Sequence, residues 1–336
     1  MALTAYIKGL GYYVPERIVD NNELSTMVET SDEWIRTRTG IEQRHVVAPG
    51  QTCSDLIVEA AKKAFNASGI KPEEITHIIN ATVSGDDAFP STATRVQAKL
   101  GITGMAFDIS AACSGFIYGL QIARGFLAIQ PNAKILVTAA EVLSRRVNWK
   151  DRTTCVLFGD GSGAAILTAD PAAPANGASL MTNAVIEEVM CDADGRTGDL
   201  LYCNGGCSSF PYKLGDVVGP ENFIQMNGRE VFKHAVRTMS AISRQLMEKR
   251  GYTIDDFDLV VPHQANIRII QAVADRLNVP AEKLFVNVNR YGNTSAASIP
   301  LAMAEALELG VIKPGMRVLF TTFGAGLTWG GAIVKF

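Results

Sequence analysis

Phe107-Asp-Ile-Ser-Ala-Ala-Cys113-Ser-Gly-Phe-Ile-Tyr-Gly-Leu120 sets a short apolar strand, a turn of small residues and an amphipathic helix in succession. A second stretch repeats the arrangement, with Phe285-Val-Asn-Val-Asn-Arg-Tyr-Gly-Asn293-Thr also leading into a helix. Each is followed by a further strand, Lys134-Ile-Leu-Val in one case and Arg317-Val-Leu-Phe in the other. Each half then closes on a glycine-bearing strand, Gly159-Asp-Gly-Ser-Gly-Ala-Ala-Ile-Leu or Trp329-Gly-Gly-Ala-Ile-Val. Repetition of one supersecondary unit argues for a duplicated α/β fold. Its pseudo-twofold would place the Cys113 turn near the Asn293 turn. The divide is expected within 170–185, where Asp170-Pro-Ala-Ala-Pro-Ala-Asn-Gly reads as a linker. The halves are therefore taken as 1–175 and 176–336.

Strand-like and helix-like segments alternate almost throughout. Strands are expected at 75–82, 133–139, 164–168, 259–262, 317–321 and 332–336, and helices at 53–68, 114–129, 228–250, 267–277 and 296–309. The segment 191–221, rich in Gly, Asp, Cys and Pro, shows no sustained period and reads as a long loop with short elements. Loops of that length in compact domains often cover sites, although surface decoration would look the same.

The chain has 336 residues, 47% of them hydrophobic and 19% charged, which suffices for a large core. No apolar run approaches the roughly 20 residues of a membrane span, and the first residues lack the regions of a signal peptide, so a cytoplasmic protein is expected. A net charge of −3 gives no reason to expect nucleic acid as the main partner. Arg229, Lys233 and Arg237 nonetheless share one helix face, either as a solvated surface or as a dock for an acidic partner. The six cysteines are scattered rather than arranged as a disulfide framework. Cys203-Asn-Gly-Gly-Cys207 lacks the second close pair of a zinc motif, so no metal site is expected.

Cys113 is chemically distinctive because a thiol at a strand-to-helix turn lies beside unpaired N–H groups and the positive end of the helix dipole, which favour thiolate. An ordinary buried thiol is the competing reading, and the small residues around it, which admit close backbone and ligand approach, oppose that. His263 ends the apolar run Leu259-Val-Val-Pro, and ligand sites of α/β sheets gather at the carboxyl ends of strands. Asn293 follows a glycine and would also serve as ordinary turn chemistry. Cysteine, histidine and asparagine together suggest acyl chemistry. Papain-like proteases share this chain order, but the surroundings of their cysteine are absent. Phe158-Gly-Asp-Gly-Ser-Gly-Ala-Ala lacks the spacing of a nucleotide loop and runs into a strand, so tight packing under an active site is preferred.

The chain resembles the β-ketoacyl-acyl carrier protein synthase III family, thiolase-fold condensing enzymes. The resemblance rests on Thr30-Ser-Asp-Glu-Trp-Ile-Arg-Thr-Arg-Thr-Gly, Ala111-Ala-Cys-Ser-Gly-Phe, Phe158-Gly-Asp-Gly-Ser-Gly-Ala, Val261-Pro-His-Gln-Ala-Asn, Gly292-Asn-Thr-Ser-Ala-Ala-Ser and Phe323-Gly-Ala-Gly-Leu-Thr-Trp-Gly, and extends from Tyr6 to Phe336. It implies two thiolase-like α/β halves in an α-β-α-β-α arrangement and a homodimer. It further implies that a short acyl-CoA acylates Cys113, after which malonyl-acyl carrier protein condenses with loss of CO2, His263 and Asn293 serving the malonyl thioester. No permanently bound cofactor is implied.

By the same resemblance, the oxyanion is held by the backbone N–H of Cys113 and of Ala325, where relatives often carry a third glycine. Thr30, Trp34, Arg38, Arg152, Gly228 and Asn266 fall on the CoA and phosphopantetheine path, Trp34 as core filler being the bland alternative. Phe89 and Phe323 fall to the acyl pocket, with Phe89 supplied across a dimer interface. Lys233 and Arg268 fall to carrier-protein docking. A secondary-metabolite acyltransferase or ketosynthase with the same three residues is the alternative. A non-catalytic carrier-binding module and chalcone-synthase-like or HMG-CoA-synthase-like enzymes fit less well.

Overall fold

The computed structural model describes residues 4–174 and 177–336. Nine strands form one mixed sheet: β1 (Tyr6–Tyr13), β2 (His77–Ala81), β3 (Met105–Ile109), β4 (Ile135–Glu141), β5 (Gly161–Thr168), β6 (Met181–Ala193), β7 (Leu259–Pro262), β8 (Arg317–Gly324) and β9 (Thr328–Lys335). Their spatial order is β7-β8-β9-β6-β1-β5-β4-β2-β3. Read outward from the antiparallel β6–β1 pair, the same topology appears twice. The β7–β8 and β4–β2 pairs are both parallel, whereas β8–β9 and β4–β5 are both antiparallel. The partner expected beyond β7 is reduced to a single bridge between Val260 and Leu284, so the second half has one strand fewer. β5 ends at Thr168 and β6 begins at Met181. The proposed 175/176 boundary itself lies outside the described residues.

The helices repeat in step: α1 (Asp32–Thr39) is peripheral, while α2 (Cys53–Ser68), α3 (Thr92–Leu100) and α4 (Gly115–Ile129) are answered by α5 (Gly228–Arg250), α6 (Ile267–Leu277) and α7 (Ser298–Glu308). α2 packs on β1, β5 and β4, and α5 on β9, β8 and β6. This close seating needs glycine in β1, because a Cβ on Gly11 would come 2.0 Å from Ala60 O of α2. α4 and α7 both touch strands of the two halves and lie against both halves of the sheet. Their Ile117, Leu120, Ile299 and Met303 share one buried cluster with Ile135, Val137, Val261 and Phe320. Burial of this many aliphatic side chains, at about 25 cal/mol per Å², supplies the main stabilising term.

The segment Ala112–Ile129, interrupted by Ser114, Gln121 and Arg124, is the one helix among the described residues with the length and composition of a span. It reaches 18 residues at a mean hydropathy of 1.3, and half of it is buried within the protein. It is the wall shared by both halves. Segment 191–221 differs from expectation at its start, since β6 continues through Ala193 before a short helical turn at Gly195–Leu200.

Candidate active site

α4 and α7 each begin at a strained turn. Ala112 has φ +45° and precedes Cys113; Ser295 has φ +50° and follows Asn293 and Thr294. Positive φ disfavours residues with a Cβ, so the surrounding packing must hold both turns. The two turns pack directly against each other. Cys113, His263 and Asn293 are 8%, 4% and 7% exposed and line one cavity of about 660 Å³. A second cavity, about 320 Å³, opens behind Cys113, which therefore stands between the two.

Burial pushes the Cys113 thiol up to about 12, opposed by a hydrogen bond with the Ser295 side chain and reinforced by the charge of Glu141. The thiolate expected from the helix terminus is thus not the resting form, because desolvation outweighs it. Gly324 gives the nucleophile turn its neighbour: a Cβ there would lie 2.7 Å from Cys113 N. The adjoining Ala325 keeps a negative φ and lines the inner cavity. Its methyl is accommodated. Thr328 Oγ1 lies 2.8 Å from Ala111 O and 3.1 Å from Ala325 O, tying the β8–β9 hairpin to the nucleophile.

His263 follows β7 and donates its backbone N–H to Thr321 O at 2.8 Å. Its Nδ1 is 2.5 Å from Ser298 Oγ, the first residue of α7. With the serine hydroxyl donating to Nδ1, Nε2 carries the ring proton. Burial lowers the His263 pKa to about 3, so the ring is a neutral donor at physiological pH. Asn293 accepts the Ser295 backbone N–H on Oδ1 at 2.8 Å, which leaves the amide NH2 to donate into the cavity. Its own N–H donates to Leu157 O, and Gly159 N–H donates to Asn293 O. Here the glycine-rich segment packs under the site, as a Cβ on Gly159 would meet Tyr291 O at 2.4 Å.

Gln264 and Glu305, unremarked in the sequence, fix the same floor. Gln264 Oε1 accepts Asn287 N–H at 2.8 Å, and Glu305 accepts from Asn287, Arg290 and Tyr291 just ahead of Asn293. Glu141 and Ser298 were likewise missed. All four act through contacts between distant segments, which local sequence patterns do not encode.

Toward its mouth, the larger cavity is lined by Trp34, Arg38, Arg152, Gly228, Lys233, Asn266 and Arg268. Trp34 packs against a core cluster on one side and lines the cavity on another, with the Arg38 and Arg152 guanidinium carbons 5.4 and 5.3 Å from its ring centroid. Asn266 also caps α6, accepting Arg268 N–H at 2.8 Å and donating to Arg38 O at 3.2 Å. Lys233 pairs with Glu230 at 2.7 Å and Arg268 lies over the Phe232 ring.

Two expected positions fall elsewhere. Thr30 lies outside both cavity linings, its hydroxyl buried without a hydrogen-bond partner. Phe323, at the end of β8, lines the larger cavity instead of the inner one. Phe89 is 87% exposed and lines neither cavity of its own chain; its expected place is the cavity of a second copy. The inner cavity is lined instead by Leu143, Leu201, Tyr202, Cys203 and Ile224 among others. Part of the long loop thus covers the site.

Duplicated α/β halves with a cysteine, a neutral histidine and an asparagine amide around one cavity define a thiolase-like condensing enzyme. Residues 107–184 match the family described as 3-Oxoacyl-[acyl-carrier-protein (ACP)] synthase III, and residues 247–336 match its C-terminal part. The chain is 55% identical over 337 residues to the Beta-ketoacyl-[acyl-carrier-protein] synthase III of Nitratidesulfovibrio vulgaris, with 100% of each chain covered. The crystal structure of 3-oxoacyl-[acyl-carrier-protein] synthase III from Aquifex aeolicus superposes with a TM-score of 0.88 at 43% identity, covering 99% of this chain and 100% of that one. The Thermus thermophilus structure gives 0.88 at 42%, covering 98% of both. The chain belongs to the β-ketoacyl-[acyl-carrier-protein] synthase III family.

Proposed function

We propose that the protein performs the initiating condensation of type II fatty-acid synthesis. A short acyl-CoA acylates Cys113 and CoA departs; malonyl-acyl carrier protein then loses CO2, and its enolate attacks the acyl group to give β-ketoacyl-acyl carrier protein. The observation that carries this reading is the single cavity lined by Cys113, His263 and Asn293 and also by Trp34 with the Arg38 and Arg152 guanidiniums over its ring. A covalent intermediate lets one site serve two bulky carriers in turn. The N–H groups of Cys113 and Ala325 stabilise the oxyanion, while His263 Nε2 and the Asn293 amide stabilise the enolate. The cavity behind Cys113 receives the acyl chain. The reaction uses no resident cofactor.

Lys233 and Arg268 supply positive charge for the carrier protein. The working form is a cytoplasmic homodimer: β3 is the outermost strand, Met105 at its start is 46% exposed, and Phe89, in the loop at its other end, is 87% exposed. A second copy along that edge would cover both and carry Phe89 toward the partner's acyl cavity. The test is incubation with labelled acyl-CoAs and malonyl-acyl carrier protein, followed by identification of the labelled residue and the product. Label on Cys113 together with a β-ketoacyl-carrier product is expected. Label without that product would defeat the proposal.

A further inference from the structure

Glu141 ends β4 at the floor of the site and is completely buried. It has no ion-pair partner among the described residues. Four donors converge on it. Thr82 Oγ1 and Val83 N lie 3.3 and 3.2 Å from Oε2, Ser84 Oγ also donates to Oε2, and Ser295 Oγ donates to Oε1 at 3.1 Å. Ser295 and Cys113 stand on the two turns that pack against each other and line one cavity together, and the Ser295 hydroxyl acts to lower the pKa of the Cys113 thiol. A buried carboxyl is thereby joined to the nucleophilic sulfur through one hydroxyl, and a hydroxyl can accept one proton while releasing another.

We propose that Glu141 accepts the Cys113 proton through the Ser295 hydroxyl during acylation. The Cys113 S–H bond breaks as sulfur bonds to the acyl carbonyl carbon. Ser295 Oγ takes that proton and passes its own to Glu141 Oε1. Collapse of the tetrahedral intermediate breaks the bond to CoA sulfur, and the departing thiolate is reprotonated at the expense of the Glu141 carboxylic acid. The carboxylate is restored and the product is free CoA. Glu141 touches no substrate atom and acts only through Ser295.

Two further features suit this task. Burial holds the Glu141 carboxyl up to about 7, so near neutral pH it can exist in either form. The coupling is also mutual, because the Glu141 charge that raises the thiol disappears once Glu141 is protonated. The other titratable group facing Glu141 is Cys53 of α2, buried with its Sγ 3.6 Å from Thr82 Oγ1 and pushed well up by desolvation and by Glu141, Asp86 and Asp108. It stays a thiol and does not compete for the negative charge.

The inference rests on Cys113 being the nucleophile proposed above. The test follows iodoacetamide alkylation of Cys113 against pH in the full-length protein, with the site verified by peptide mass, for wild type, Glu141→Gln, Glu141→Asp and Ser295→Ala. Wild type should show a rise in rate centred near neutral pH. Glu141→Gln and Ser295→Ala should lose that rise and react about 10²-fold more slowly at pH 8, within the usual reach of a proton acceptor. Glu141→Asp should restore it, an outcome that a merely structural carboxylate would not produce as a pH profile. Unchanged profiles in Glu141→Gln or Ser295→Ala would overturn the relay. If Glu141→Gln does not fold, Ser295→Ala decides alone, since it removes only a hydroxyl at the existing backbone geometry. Failure of wild-type Cys113 to be alkylated or acylated would instead defeat the nucleophile assignment.

Discussion

Ser295 holds Asn293 by its backbone, donating N–H to the amide oxygen at 2.8 Å, so the orientation of the Asn293 amide is set by the turn that carries it. The amide nitrogen is left with two hydrogens for a developing enolate.

Replacing Asn293 or His263 by Ala should therefore separate the two half-reactions. Acyl transfer to Cys113 should survive largely intact, while malonyl decarboxylation falls by about 10²–10³, the cost of one missing oriented donor. Acyl-enzyme formation by intact mass and CO2 release from malonyl-acyl carrier protein measure the two steps. Equal losses in both would contradict the division of labour.

Gly324 leaves no room for a side chain beside Cys113 N. Gly324→Ala should destabilise the fold by about 1–3 kcal/mol, as overpacking does, and abolish acylation by moving the oxyanion turn. Ala325→Gly should retain acylation, because its N–H remains. Denaturant unfolding and acyl-enzyme yield report the two effects.

Trp34→Ala and Arg152→Ala should raise KM for acyl-CoA several-fold, the scale of about 0.5–2 kcal/mol for a cation over an aromatic ring. Acylation by a thioester of N-acetylcysteamine, which lacks the adenine, should be unchanged. A matching rise in KM for that short thioester would locate the defect at the nucleophile instead.

Charge reversal at Lys233 should weaken use of malonyl-acyl carrier protein more than use of acyl-CoA. The exposed pair with Glu230 contributes little stability, so the fold should tolerate the change. Carrier kinetics identical to wild type would remove Lys233 from the docking surface.

Glu141 gives a pH signature in unfolding. Its folded pKa of about 7 lies above the ordinary 4.5, so between those values the folded state holds a proton that the unfolded state releases. That contribution to stability is present below about pH 4.5 and is lost as pH rises through about 7. Glu141→Gln removes this dependence, so the variant should gain on wild type between pH 5 and 7.5 in urea titrations. A constant difference across that range would show that Glu141 does not titrate there.

The elements with the clearest apolar period and end signals were legible in the sequence. Helices at Cys53–Ser68, Gly228–Arg250 and Ile267–Leu277 occupy the expected residues, bounded by polar caps such as Asn227 and Asn266 and by left-handed residues such as Gly69, Gly251 and Asn278. β1 was not among the expected strands; Gly9 and Gly11, where α2 leaves no room for a Cβ, interrupt its apolar run. The cavity floor was half legible: Cys113, His263 and Asn293 stand in distinctive local contexts. Glu141 has no such context, and its meeting with Ser295 across 154 positions is not encoded locally.

The matched left-handed residues Ala112 and Ser295 carry a last implication. The helices α4 and α7 start from equivalent backbone kinks, yet one kink presents a thiol and the other an amide and a hydroxyl. A symmetric frame thus carries unlike side chains, and in the proposed reaction the difference between holding an acyl group and steadying a carbanion is written in those few positions. Redesign of either step can therefore work on side-chain identity at one kink while the other keeps the main-chain path in place.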